Sequence, residues 1–208
     1  MLTPEQLLAF LAAAVLVTVS PGPDNLMVLG VGMSRGRRRG VAFGLGCALG
    51  CLSHTALAVA GVSALLAASP LAFTLLKVAG GAYLVWLGVQ ALRSRGGVRV
   101  GDAGAAAPSL SGLFARGVVA NAINPKVVLF FLSFLPQFVA ADRGGVATQI
   151  AALGVVFTLQ AALLFGLLGW FAGTVGQWLT ARPRAGLWLD RLAGAIFVGL
   201  GLRLIASR

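Results

Sequence analysis

The stretch that decides the fold is SPGPDN, residues 20–25, which interrupts the first apolar run of the chain. LLAFLAAAVLVTV, residues 7–19, precedes it, and LMVLGVGM, residues 26–33, follows it. A proline inside a helix removes a backbone hydrogen bond and clashes with the preceding turn, and a glycine between two prolines loosens the chain further. Within lipid, freed backbone groups and an acidic side chain need partners. The stretch therefore indicates a broken membrane helix whose break faces protein, water or a ligand.

The composition indicates a membrane protein throughout the chain. Of the 208 residues, 59% are hydrophobic and 10% are charged, and the mean hydropathy is +0.95. A soluble domain carries about 25% charged residues. Apolar runs of helical length, without the alternation of a β-barrel, predict an all-α protein with six transmembrane helices in the bacterial inner membrane. The first residues lack the basic start of a signal peptide. The six apolar segments are Leu7–Ser34, Val41–Ala67, Leu71–Leu92, Leu113–Phe138, Val146–Leu179 and Leu187–Ala206.

The basic residues that give the net charge of +11 lie mostly in the loops between the apolar segments. This distribution favours orientation in the lipid bilayer over binding of nucleic acid. The loops after the first, third and fifth segments and their flanks hold most of the arginines, so that side is predicted to be cytoplasmic and both termini external. A re-entrant first segment would instead place the N-terminus inside. The arginines in question are Arg35, Arg37, Arg38, Arg39, Arg93, Arg95, Arg99, Arg116, Arg182 and Arg184.

The chain reads as one transmembrane domain, residues 1–208, built from two repeats. Residues 1–93 form the first repeat, residues 94–112 a flexible basic cytoplasmic loop, and residues 113–208 the second repeat. KVAGGAY at residues 77–83 resembles RLAGAIF at residues 191–197, and the break in the first segment aligns with an Asn-Pro-Lys break in the fourth. Because each unit has three spans, the two must insert in opposite orientations. This inverted repeat is typical of secondary transporters.

The two breaks are predicted to form the binding site where the repeats meet. Asp24 and Lys126 follow the aligned prolines Pro23 and Pro125. Because isolated charges at membrane depth are costly, we expect these two to pair or to face one hydrated cavity together. One carboxylate and one ammonium suit a zwitterionic amino acid, with Lys126 taking its carboxylate and Asp24 its amino group or a proton.

Two further polar residues in the spans are candidate proton or cavity residues. His54 is the single histidine, with an imidazole suited to proton exchange, and Gln160 occupies the corresponding place in the second repeat. Either could instead serve helix packing. The chain has no nucleotide-binding loop and no hydrolase or zinc motif, so we expect coupling to a proton or ion gradient, with no cofactor, no metal and no enzymatic activity. A homo-oligomer is compatible with the sequence.

In these motifs the sequence resembles the LysE-type translocators, which include lysine and threonine/homoserine exporters. The resemblance rests on VSPGPDNLMVL, KVAGGAYLVWLGVQALR and FARGVVANAINPKVVLFFLSFLPQFV, and it extends over residues 5–206. It implies export of neutral or basic amino acids or their derivatives, by proton antiport, and leaves the cargo open. The predicted substrate-binding residues are Pro21, Gly22, Pro23, Asp24, Asn25, Asn124, Pro125 and Lys126.

Two alternatives remain open at this stage. A metal or other small-ion exporter would need clustered carboxylates, thiolates or histidines within the spans. A transmembrane thiol–disulfide electron carrier would need a cysteine in each half. Cys47 and Cys51 are the two cysteines, and their spacing places both on one face of one helix, where a disulfide is awkward.

Overall fold

The fold is a bundle of helices, two of which are sharply bent. The computed structural model describes residues 2–94 and 108–206, and all the regular secondary structure within those ranges is helical. Residues 95–107 of the predicted cytoplasmic loop lie outside the described residues. The helices are α1 (Pro4–Val19), α2 (Pro23–Arg35), α3 (Arg37–Ala68), α4 (Pro70–Arg93), α5 (Leu110–Ala122), α6 (Pro125–Leu129), α7 (Val146–Trp170), α8 (Ala172–Ala181) and α9 (Pro183–Ala206).

The first bend separates α1 from α2. A capping box at Thr3 and Gln6 begins α1, and Pro23 occupies the first turn of α2. The axes of the two helices differ by 56° across residues 20–22. Because Pro21 and Pro23 cannot donate backbone hydrogen bonds, the helix ladder cannot continue through this stretch.

The second bend separates α5 from α6. The side chain of Asn124 accepts a hydrogen bond from the backbone nitrogen of Lys126 at 3.0 Å, and Pro125 occupies the first turn of α6. The segment continues through a π-helical turn, Phe130–Phe134, and a 3-10 turn, Leu135–Phe138. The bend between α5 and this composite helix is 50°.

Three to five spans meet the length and composition of a membrane helix within the described residues. Three are single helices, Arg37–Gly61, Leu71–Arg93 and Val146–Trp170, and each bent pair adds one if it crosses as a unit. Helix α9 has 24 residues but is not among these candidate spans. It contains the charged residues Asp190, Arg191 and Arg203.

The predicted fifth segment, Val146–Leu179, is wrong as one continuous helix. Helix α7 ends at Trp170 and α8 begins at Ala172, with Phe171 between them. No proline marks this position. Gly169 lies against the backbone of Gly40 in α3, where an added Cβ atom would come within 2.6 Å of the Gly40 carbonyl oxygen. The break thus lies two residues after a close contact with a distant part of the chain.

Glycines bring α4 and α9 into backbone contact. A Cβ atom on Gly88 would lie 2.7 Å from the carbonyl oxygen of Gly194, and one on Gly201 would lie 2.6 Å from that of Gly81. These two contacts run in opposite directions along the helices, so α4 and α9 are antiparallel. Small residues permit this approach, which is the usual basis of helix packing in lipid.

We expect Gly194→Ala to destabilise the protein, because the new methyl group would lie 2.7 Å from the carbonyl oxygen of Gly88. The matched control is Gly199→Ala in the same helix, where an added Cβ atom meets nothing within 4 Å. Alanine ordinarily improves a helix by about 0.5–1 kcal/mol, so the control should melt at the same or a higher temperature. Thermal unfolding in detergent measures both, and equal melting temperatures would contradict the contact.

An aromatic cluster fills the space between α1, the π-helical turn Phe130–Phe134 and α7. The rings of Phe131 and Phe157 pack edge to face at 4.9 Å, and Phe130 lies 5.3 Å from Phe157. Phe10 of α1 packs on Phe130 at 6.2 Å. Phe10, Phe130 and Phe131 are fully buried. This cluster forms a fixed wall beside the bends.

Candidate functional site

Lys126 joins the two bends. Its Nζ atom donates to the backbone oxygens of Val17 at 3.1 Å and Ser20 at 3.0 Å. Carbonyl groups in the last turn of a helix lack partners within the helix, and the partial negative charge there attracts a cation. The ammonium group of Lys126, in the second bend, thus stabilises the carbonyl groups at the end of α1, in the first bend.

Gly22 leaves space for this contact. A Cβ atom on Gly22 would lie 2.7 Å from the Nζ atom of Lys126. The backbone of Gly22 is extended, a conformation open to any residue, so glycine matters here for the space that it leaves beside the lysine. The Pro-Gly-Pro stretch therefore both ends α1 and admits the lysine.

Asp24 is buried in the first turn of α2, at 1% exposure. Its Oδ2 atom accepts a hydrogen bond from Nδ2 of Asn121 at 2.7 Å. Its Oδ1 atom is buried and has no hydrogen-bond partner among the described residues. A carboxylate at a helix N-terminus is favoured by the helix dipole, but one of the two oxygens of Asp24 lacks a partner among the described residues.

Asn121 connects α5 to α2 and α3. Nε2 of His54 donates to the backbone oxygen of Asn121 at 3.0 Å, since a carbonyl can only accept. Nδ1 of His54 and Oδ1 of Asn121 are both buried without a partner in the described part of the chain. His54 and Asp24 are therefore linked through one residue.

Thr18, in the last turns of α1, binds two more of the polar residues. Nδ2 of Asn25 donates to the backbone oxygen of Thr18 at 2.8 Å, and Nε2 of Gln160 donates to its hydroxyl at 2.8 Å. These bonds fasten the start of α2 and the middle of α7 to the end of α1. Gln160 thus contacts the cavity lining through Thr18.

Asp24 and Lys126 line one small cavity without touching each other. No nitrogen–oxygen contact within 4.0 Å joins these two described residues, so of the two expected arrangements the direct ion pair is absent and the shared cavity is the one observed. The physical reason is that each charge has another partner: carbonyl groups hold Lys126 and an amide holds Asp24. The cavity has a volume of about 10 Å³, the space of one water molecule. Its lining consists of Val17, Thr18, Asp24, Cys51, Asn121, Lys126, Val127, Phe157 and Phe165.

Unpaired buried oxygens outnumber unpaired donors around this cavity. Buried polar groups normally have partners, so a cluster of exceptions suggests a place where a ligand supplies them. Four side-chain oxygens lack a partner within the described residues, and the excess favours a ligand that brings hydrogen-bond donors. The unpaired atoms near the cavity are Asp24 Oδ1, Asn25 Oδ1, Asn121 Oδ1, Gln160 Oε1, His54 Nδ1 and Asn124 Nδ2.

The structure brings some predicted residues to the cavity and leaves others one contact away. Asp24 and Lys126 line it, whereas His54 and Gln160 contact residues that line it. The prolines act through the backbone: Pro21 and Pro23 end one helix ladder, and Pro125 begins α6.

Sequence reasoning missed Asn121, Thr18 and the two phenylalanines of the lining. An amide in the apolar fourth segment, three residues before Asn124, was a signal for Asn121. A threonine or a phenylalanine within an apolar span gives no such signal, because both are ordinary membrane residues.

The geometry lends little support to the two alternative functions, the small-ion exporter and the thiol–disulfide electron carrier. Cys47 and Cys51 are free thiols, and Sγ of Cys51 lies 3.7 Å from the carbonyl oxygen of Cys47 on the same helix. Within residues 2–94 and 108–206, no three side chains of histidine, cysteine, aspartate or glutamate come together as metal ligands would.

Known proteins resemble this chain over nearly its whole length. The threonine efflux protein of Escherichia coli strain K12 is 31% identical, over 97% of this chain and 100% of its own. The leucine efflux protein of Klebsiella pneumoniae is 32% identical, over 95% and 93%. An uncharacterised membrane protein of Vibrio cholerae is 32% identical, over 97% of each chain. No solved structure matches.

The profile of the LysE type translocator family matches residues 15–208. That match spans both bends and every residue of the cavity lining. With the apolar spans and the membrane-protein relatives, it makes the protein a multi-pass protein of the inner membrane. The chain belongs to the LysE type translocator family, whose members are transporters rather than enzymes.

Proposed function

We propose that the protein is a secondary transporter that exports amino acids from the bacterial cytoplasm. Relatives named for threonine efflux and leucine efflux, at about 30% identity, support this class of cargo. The observation that carries the proposal is the cavity where the two helix bends meet, because a carboxylate and an ammonium line it together.

An amino acid matches both charges of this cavity. Two of the three N–H groups of Lys126 are used by the carbonyls of Val17 and Ser20, which leaves one for a substrate carboxylate. The free Oδ1 of Asp24 can accept from a substrate ammonium. Charge-assisted hydrogen bonds of this kind are about twice as strong as neutral ones.

We place this site between two inverted repeats of three spans each, residues 1–93 and 113–208, joined by the cytoplasmic loop. The antiparallel contact of α4 with α9 supports this arrangement, since these helices hold the matching KVAGGAY and RLAGAIF sequences. The contact of Lys126 with the end of α1 supports it as well, because each repeat then contributes one bend to the site.

Transport requires the cavity to open. A volume of about 10 Å³ holds one water molecule, far less than an amino acid, so the structure represents a closed state. Opening first to the cytoplasm and then to the exterior would carry the cargo outward. We propose proton antiport as the driving reaction, with Asp24 and His54 as the proton-carrying candidates because Asn121 links them.

Efflux from loaded cells tests the function. Cells that express the protein are loaded with labelled amino acids one at a time, and efflux is followed with and without a proton uncoupler. We expect efflux of at least one amino acid, faster than from cells with an empty vector, and loss of net export with the uncoupler. No efflux of any amino acid would contradict the proposal, and efflux indifferent to the uncoupler would contradict the proton coupling alone.

A further inference from the structure

The charges lining the cavity balance each other. Among the described residues of the lining, Asp24 is the carboxylate and Lys126 the ammonium. An amino acid whose side chain is neutral brings one charge of each sign and satisfies both. A lysine or arginine cargo brings a second cation, for which this lining has no second carboxylate.

The remaining lining is largely apolar, and its two aromatic residues lie on α7. Phe157 and Phe165 lie eight residues apart, which places them on the same face of the helix. They are 2% and 5% exposed, and both reach the cavity. A cationic side chain against these rings would lose its water, and the attraction of an aromatic face for a cation, about 0.5–2 kcal/mol, offsets only part of the several kcal/mol that burial of a charge costs.

The two phenylalanines differ in their contacts with other aromatic rings. Phe157 packs against Phe130 and Phe131, within the aromatic wall. No ring of the described residues pairs with Phe165, whose backbone carbonyl instead lies near Gly44 of α3. Both side chains belong to the buried core, but Phe165 is the one that can be changed without the loss of a ring–ring contact.

We propose that Phe165 restricts the cargo to amino acids with uncharged side chains, whose side chain lies against the rings of Phe165 and Phe157. This inference rests on the proposed export function and specifies its substrate class. The head group binds between Asp24 and Lys126, and the aromatic side of the cavity excludes lysine and arginine.

Purified protein in liposomes loaded with labelled leucine, threonine, lysine or arginine provides the test. We expect the wild-type protein to release leucine or threonine and to retain lysine and arginine. Phe165→Glu supplies a carboxylate for the second cation, and lysine release should rise about tenfold or more. Phe165→Gln, with nearly the same shape and no charge, is the matched control and should leave lysine release low.

The possible results distinguish a failure of this inference from a failure of the proposed export function. Release of lysine by the wild-type protein as fast as leucine, or equal lysine release by the two variants, would overturn the inference and leave amino-acid export standing. Release of no amino acid would overturn both. If Phe165→Glu does not insert, competition in the wild-type protein decides: unlabelled lysine should leave leucine exchange unchanged, and inhibition by lysine would overturn the inference.

Discussion

Replacement of Lys126 by glutamine is expected to abolish amino-acid efflux while the protein still inserts in the membrane. Glutamine keeps a polar group near the carbonyls of Val17 and Ser20 but removes the positive charge that holds the end of α1. The same charge is the one that we propose receives the substrate carboxylate. The loss of a charged hydrogen bond in a buried site costs about 3 kcal/mol, a factor of about 100 in rate. Initial rates of efflux from loaded liposomes measure it.

Lys77→Gln is the matched control for this variant. Lys77 is the other lysine of the chain, it is also buried, and it lies in α4 outside the cavity lining. The same chemical change there should leave efflux within a few-fold of wild type. Equal losses in the two variants, or full activity of Lys126→Gln, would show that the ammonium of Lys126 has no special role in transport.

Replacement of Asp24 by asparagine is expected to be as damaging. Asparagine has the same shape and can still accept the hydrogen bond from Asn121, so the packing of α2 is retained. Its neutral amide cannot balance a substrate ammonium, and we expect a loss of about 100-fold in exchange as well as in net efflux. Exchange of labelled for unlabelled amino acid across liposomes, without a pH gradient, separates substrate binding from proton movement.

Asp142→Asn serves as the control for Asp24. Asp142 lies in the exposed turn before α7, and its neutralisation should leave both rates unchanged. If Asp24→Asn kept full exchange and lost only gradient-driven efflux, Asp24 would be a proton carrier, and its role as the ligand of the substrate amino group would be wrong.

The sequence predicted the bends better than the contacts made across them. Proline and the charges beside it announce where a helix must break, so residues 20–25 and Asn124 to Lys126 could be identified from local chemistry alone. The distance between Asp24 and Lys126 depends on the angles of 56° and 50° at the bends, which local chemistry does not set. The sequence therefore left open whether the two charges pair or share a cavity, and in the structure they share a cavity with separate partners for each charge.

Residues whose role depends on packing between distant helices could not be identified from the sequence. Asn121 became central because its side chain reaches α2 while its backbone oxygen reaches His54 in α3. Phe165 is one of 12 phenylalanines, and its place in the cavity lining, which it shares with Phe157, depends on the packed structure. The break at Phe171 likewise has no proline to mark it in the sequence.

Cys51 offers the most direct test of the claim that an amino acid binds in this cavity. It lines the cavity and is fully buried in the closed state, and Cys47 is the only other cysteine of the chain. In the Cys47→Ala protein, a small membrane-permeant thiol reagent can therefore report on the cavity alone. The rate of labelling in liposomes would be measured with and without saturating amounts of an exported amino acid. The account predicts that the amino acid slows labelling of Cys51, and labelling at an unchanged rate would contradict a binding site between the two bends.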